Sequence, residues 1–191
     1  QSQRKSAGKD EGYAAVIRCL EKEREGKSGV GGSMRILIIS DTHRRNDNLI
    51  KALRKTGQPD LLIHCGDVEG DEYTLSGYVD CPTEIVAGNN DFFCDLPRER
   101  EFTIGRYKIW LTHGHSYYVS MGNETIKREA VAKGVDIVMY GHTHKPVVEI
   151  ERDIIAINPG SLSYPRQSGR RPSCAVMELD QAGEAQFKIY Y

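Results

Sequence analysis

Histidine is scarce in this chain, six residues in 191, yet two of the six stand one residue apart in Gly141-His142-Thr143-His144. They follow the apolar run "DIVMY" (136–140). Four other apolar runs end in the same manner. "RILIIS" (35–40) leads to Asp41 and His43, and "DLLIHC" (60–65) leads to Asp67. "TEIVAG" (83–88) leads to Asn89, Asn90 and Asp91, and "YKIWLT" (107–112) leads to His113 and His115. Imidazole and carboxylate donors together suit Mn, Fe, Co, Ni or Zn. In extended backbone, residues i and i+2 point to the same side. Asp41 with His43, and His142 with His144, can therefore each grip one point. Four histidines, two aspartates and Asn89 are more than one ion takes. Two ions sharing a carboxylate would use them all, and Asp67, alone after its run, is the natural bridge.

The elements that must position these residues follow from periodicity. The apolar runs at 35–40, 60–65, 83–88 and 136–140 read as buried strands. Leu49, Ile50 and Leu53 recur at helical spacing over 46–56, with Asn46 or Asp47 as cap and Gly57 as stop. A weak helix is expected around 71–79, and another over 123–133 between Asn123 and Gly134. "EFTI" and "YKIWLTH" flank Gly105-Arg106, a hairpin signal. "VVEIE" and "IIAIN" pair around 151–153, and two last strands are expected at 173–179 and 186–190. Strands and helices alternate first and hairpins dominate later, which predicts an α/β layered domain with mixed sheets. In open α/β sheets ligands bind at the carboxyl ends of strands, where all these donors lie.

Bulk properties narrow the function. A hydrophobic share of 39% and a charged share of 28% fit one globular domain with a core. A net charge of -1 argues against a grip on extended nucleic acid, which needs a basic face. The cysteine count, five, is odd, and no Cys-x-x-Cys pair occurs, which predicts free thiols in a reducing, cytoplasmic setting. No segment has the length and apolarity to span a membrane, so no membrane partner is expected. Residues 1–33 are polar and rich in Gly, Ser and Lys. They read as a disordered extension, a tag, or sequence upstream of a true start at Met34. The domain proper is expected over 34–191.

"DTH", "GD", "GNND", "THGH" and "GHTH", in this order, resemble the motifs of the calcineurin-like metallophosphoesterase superfamily. The short chain and "INPGS" (157–161) resemble its small YfcE-type bacterial and archaeal phosphodiesterases. The resemblance implies a four-layer αββα sandwich with two mixed β-sheets and two divalent ions, with Mn²⁺ favoured over Ni²⁺, Fe²⁺, Zn²⁺, Co²⁺ or Mg²⁺. Asp41, His43, Asp67 and His144 would hold one ion, and Asp67, Asn89, His113 and His142 the other. Asp91 matches a position that orients its neighbours. Many members carry histidine where this chain has Asn90, and an amide cannot protonate a leaving group. His115, Cys94 or bound water could take that part.

The implied reaction is in-line attack of a hydroxide bridging the ions on a phosphate ester, most readily a small phosphodiester. Two divalent ions outweigh Asp41, Asp67 and a hydroxide, so the centre favours an anion. The basic loop "YPRQSGRR" (164–171) offers Arg166, Arg170 and Arg171 to the substrate, Arg166 being the foremost candidate, against the alternative of a solvated loop. His64, within a strand, receives no site role. The main alternative function is a non-catalytic, metal-binding interaction scaffold of the same fold. A nuclease and a phosphomonoesterase are further alternatives, and a homo-oligomer remains open.

Overall fold

The computed structural model describes residues 33–191. The expected extension over 1–33 therefore lies outside the described residues, Ser33 apart. Two five-stranded mixed sheets form the domain. The first contains β1 (Met34–Ile39), β2 (Leu61–His64), β3 (Thr83–Ile85), β9 (Cys174–Leu179) and β10 (Ala185–Tyr190), in the order β10-β9-β1-β2-β3. The second contains β4 (Glu99–Ile104), β5 (Tyr107–Thr112), β6 (Ile137–Met139), β7 (Pro146–Ile150) and β8 (Ile155–Pro159), in the order β4-β5-β6-β8-β7. β1, β2 and β3 run parallel, as do β5, β6 and β8. Their carboxyl ends deliver the donor-bearing loops.

The period of two along β1 explains the layering. Ile36 and Ile38 join Ile63, Leu111, Met139 and Ile157 in a core between the sheets. Leu37 and Ile39 point the other way, to a core with Leu49 and Ala52 of α1 (Asp47–Thr56) and Leu75 of α2 (Glu72–Leu75). On the outer face of the second sheet, Trp110 and Val138 pack on Ile126 and Ala130 of α3 (Glu124–Lys133). Helices, sheet, sheet and helix give the expected four layers. Buried apolar side chains on both faces of β1 explain why it reads as a continuous hydrophobic run.

Some local expectations change. α2 is four residues long, not a helix over 71–79, and β3 stops at Ile85, short of 88. Asn46 and Asn123 precede α1 and α3 but neither side chain caps its helix. Asn46 donates to Asp71 and Asn123 donates to Glu149, so tertiary partners take the amides. The expected hairpin forms, with Ile104 paired to Tyr107. Cys65, Cys81, Cys94 and Cys174 are free thiols. Among the described residues, no helix is long and apolar enough to cross a membrane.

Candidate metal centre

The donors do converge, by a different route from simple strand alternation. β1 ends at Ile39 and β6 ends at Met139, so neither pair lies on a strand. Asp41, His43, Asp67, His142 and His144 instead hold φ of 54°, 45°, 59°, 67° and 56°. Non-glycine residues adopt this left-handed region at a cost of roughly 1–2 kcal/mol each. Such turns fold back over the strand ends and aim the side chains at one another. Two glycines permit the close approach. A Cβ on Gly88 would collide with the Asp67 carboxylate, and one on Gly141 would collide with the Ser40 hydroxyl.

Asp41, His43, Asp67 and His144 each offer one donor atom within 4.8 Å of the others. A cation about 2.1 Å from each ligand would leave them roughly 3–4 Å apart, so the spacing suits one ion. Hydrogen bonding argues the same. The His43 Nδ1–H donates to Glu69 Oε1 at 2.6 Å, and the His144 Nδ1–H donates to the Tyr164 carbonyl at 2.6 Å. Both Nε2 atoms are left with a lone pair. His144 Nε2 nevertheless faces Asp41 Oδ1 at 3.0 Å, and His43 Nε2 lies 3.9 Å from Asp67 Oδ2. Asp41 Oδ1 and His43 Nε2 are buried with no hydrogen-bond partner. Buried acceptors facing acceptors repel unless a proton or a cation lies between them.

A second group adjoins the first through Asp67. The His113 Nδ1–H donates to the Cys65 carbonyl at 2.7 Å. Its Nε2 then faces Asn89 Oδ1 at 3.0 Å and Asp67 Oδ2 at 3.5 Å. His142 Nδ1 lies 2.9 Å from the same Asn89 oxygen, and the two rings are 5.2 Å apart. Burial alone would lower the His113 pKa, but Asp67 and Asp41 raise it above the usual value. A positive charge is thus favoured there. Burial and His113 lower His142. Burial alone would raise Asp67 and Asp41, yet His113 and the Asn90 donors hold Asp67 down, and His144, His113 and Ser40 hold Asp41 down. Both carboxylates are ready to receive a cation.

The remaining predicted residues divide. Asn90 donates its backbone N–H to Asp67 Oδ1 at 2.8 Å and its amide to Asp67 Oδ2 at 2.7 Å. It grips the bridging candidate. Asp91 accepts backbone N–H bonds from Asp67, Gly88 and Glu69, at 2.8, 2.7 and 2.5 Å, tying two donor loops together. His115 begins a 3-10 turn, not an extended continuation, with its ring 5.4 Å from His113 and 6.1 Å from His142. Its Nδ1 is buried without a partner, and burial lowers its pKa. Cys94 instead donates to the Asp91 carbonyl at 3.4 Å. Arg166 is exposed and lines a cavity with His43 and His144. Arg171 turns away towards the Tyr191 carbonyl. His64, given no site role, is a support: Gly66 N–H donates to its Nδ1, and its Nε2–H donates to Thr42.

Sequence reasoning missed Glu69, the acceptor that fixes His43, and the Tyr164 carbonyl that fixes His144. The carboxylate two residues past Asp67 was the only sequence signal for the first. It also passed over the work of "INPGS". Asn158 donates to the Gly141 carbonyl at 2.7 Å, and Ser161 donates to the Asp41 carbonyl at 2.9 Å, holding two left-handed turns.

Residues 34–182 match the calcineurin-like phosphoesterase superfamily domain. The probable metallophosphoesterase YsnB of Bacillus subtilis (strain 168) is 36% identical over 148 residues, 77% of this chain and 85% of that protein. A phosphodiesterase of Methanocaldococcus jannaschii is 31% identical over 146 residues, 66% of this chain and 83% of that protein. Among solved structures, a predicted phosphoesterase of Streptococcus pneumoniae TIGR4 superposes with a TM-score of 0.66 at 27% identity, covering 84% of this chain and 99% of that one. Vacuolar Protein Sorting 29 of Cryptosporidium parvum has the same TM-score, 0.66, at 21% identity, over 84% and 98% of the two chains, a likeness of fold. The chain belongs to the calcineurin-like phosphoesterase superfamily.

Proposed function

We propose that this chain is a metal-dependent phosphodiesterase with a dinuclear centre. Asp41, His43, Asp67 and His144 would hold one divalent ion, and Asp67, Asn89, His113 and His142 the other, with Mn²⁺ the favoured metal. The observation that carries the reading is the set of histidines whose Nδ1–H groups are committed outward while their Nε2 lone pairs face oxygen acceptors. Two bound ions would supply a hydroxide nucleophile at neutral pH and neutralise charge developing on phosphoryl oxygens.

The chain's own residues have separable tasks. Glu69 and the Tyr164 and Cys65 carbonyls set tautomers and ring orientation. Asn90 orients Asp67, so its amide is already spent, and it offers no acid for a leaving group. His115, at the edge of the histidine cluster with its ring 6.1 Å from that of His142, is the proposed source of that proton. The favoured substrate is a small phosphodiester, and the phosphodiesterase among the relatives supports that choice.

The test is hydrolysis of bis(p-nitrophenyl) phosphate by metal-stripped protein with and without Mn²⁺, beside His142→Ala. Mn²⁺-dependent nitrophenol release that the variant lacks is expected. No release with Mn²⁺, Ni²⁺, Co²⁺ or Zn²⁺ would overturn the reading in favour of a metal-binding scaffold.

A further inference from the structure

A cavity of about 590 Å³ opens beside the His43–His144 edge of the centre. Tyr164, Arg166 and Arg170 form much of its wall. A second cavity, of about 460 Å³, adjoins it through Arg166 and carries Lys145. Among the described residues, no aspartate or glutamate lines either one. The chain as a whole has one more acid than bases, so this face departs from the average. Several cations elsewhere are paired with carboxylates. Lys127 contacts Glu124, Glu149 and Glu151, Lys133 contacts Glu101, and Arg35 contacts Glu178. Lys145 and Arg166 donate only backbone N–H groups, to Thr143 and to the His144 carbonyl, and Arg170 donates its own backbone N–H to Gln167. Their charged heads have no partner among the described residues.

Exposed guanidinium groups are free to turn towards a ligand, and their forks match phosphate oxygens two at a time. The cavity also has a ring. Tyr164 is 44% exposed, packs edge-on to His43 at 5.1 Å, and carries Arg45 at 4.9 Å from its centroid.

We infer that this cavity is a subsite for a second phosphate of the substrate, held by Arg166 and Arg170. The substrate then carries a scissile phosphodiester or phosphoanhydride link and a further phosphate beyond the scissile one. Two sources share that chemistry: a 5′-phosphorylated short oligonucleotide, and a dinucleotide joined through a phosphoanhydride. The inference deepens the phosphodiesterase reading and rests on it for the scissile group.

Binding tests it without turnover. Calorimetry of metal-free protein would compare 5′-phosphorylated dithymidylate with unphosphorylated dithymidylate, and would add diadenosine 5′,5′-diphosphate as the anhydride arm. The protein should prefer the phosphorylated dithymidylate or the anhydride over unphosphorylated dithymidylate by about tenfold per arginine engaged. Arg166→Gln/Arg170→Gln should lose that preference. Arg152→Gln, a charge-matched change in the β7–β8 turn, should keep it. The tighter of the two probes assigns the source. Equal binding of all three probes, or a preference that survives the double substitution, overturns the subsite. A preference retained by protein inactive on bis(p-nitrophenyl) phosphate would sink the phosphodiesterase reading and leave the subsite standing.

Discussion

Removing the Glu69 carboxylate tests whether His43 is built to hold a cation. The His43 Nδ1–H has one acceptor, Glu69 Oε1 at 2.6 Å, a charge-assisted bond. That bond orients the ring and leaves the lone pair on Nε2, the atom facing Asp41 and Asp67. Partners of this kind are worth about 10–100-fold in metal affinity, or roughly 1.4–2.7 kcal/mol. The Glu69 side chain is 31% exposed, so solvent screens part of its charge. Glu69→Gln keeps an acceptor and loses only charge; about tenfold weaker Mn²⁺ binding is expected. Glu69→Ala loses acceptor and charge together and should approach 100-fold. Competition with a calibrated chelator gives both constants directly, and thermal unfolding of the metal-free variants reports any loss of fold. Affinities within twofold of the parent for both variants would refute the claim that His43 binds an ion through Nε2.

Two further outcomes follow from the supports. Burial lowers the His64 pKa to about 4 from its ordinary 6.5. Above pH about 6.5 the ring is neutral in both states; between about 6.5 and about 4 only the unfolded chain takes up the proton. Stability therefore falls as pH falls, by about 3 kcal/mol across that window. His64→Gln should be less stable than the parent at pH 7.5, with the gap narrowing towards pH 4.5 in urea unfolding of metal-free protein; parallel stability curves would contradict this. Asp91→Ala would strand the backbone N–H groups of Asp67, Gly88 and Glu69. A loss of about 2–4 kcal/mol is expected after water satisfies part of the deficit, measured by urea unfolding. A loss under about 1 kcal/mol would mean that the two loops hold themselves.

What could be read from the sequence was what the physics of a buried strand makes conspicuous. Interior strands such as β1 and β2 are apolar on both faces, so the first Asp or His after them stands out against its surroundings. Six of the seven proposed ligands are Asp or His set against such a background, and their order was informative before any coordinate. The route of convergence was hidden. Strand alternation predicts that Asp41 and His43 share a side, yet they meet through left-handed turns, which no side-chain pattern marks at non-glycine positions. Those turns carry a cost, and the groups that offset it are ordinary polar residues whose importance depends on where a distant partner lands. Glu69 lies 26 residues from His43, and Ser161 lies 120 residues from Asp41. Nothing at position 161 distinguishes that serine from any other until β8 places it beneath the Asp41 carbonyl. The ligands are therefore marked by composition and their supports by topology. A variant that keeps all seven ligands but loses Asn158, Ser161 or Asp91 would look intact in sequence, and would still lose the left-handed turns that bring the ligands together.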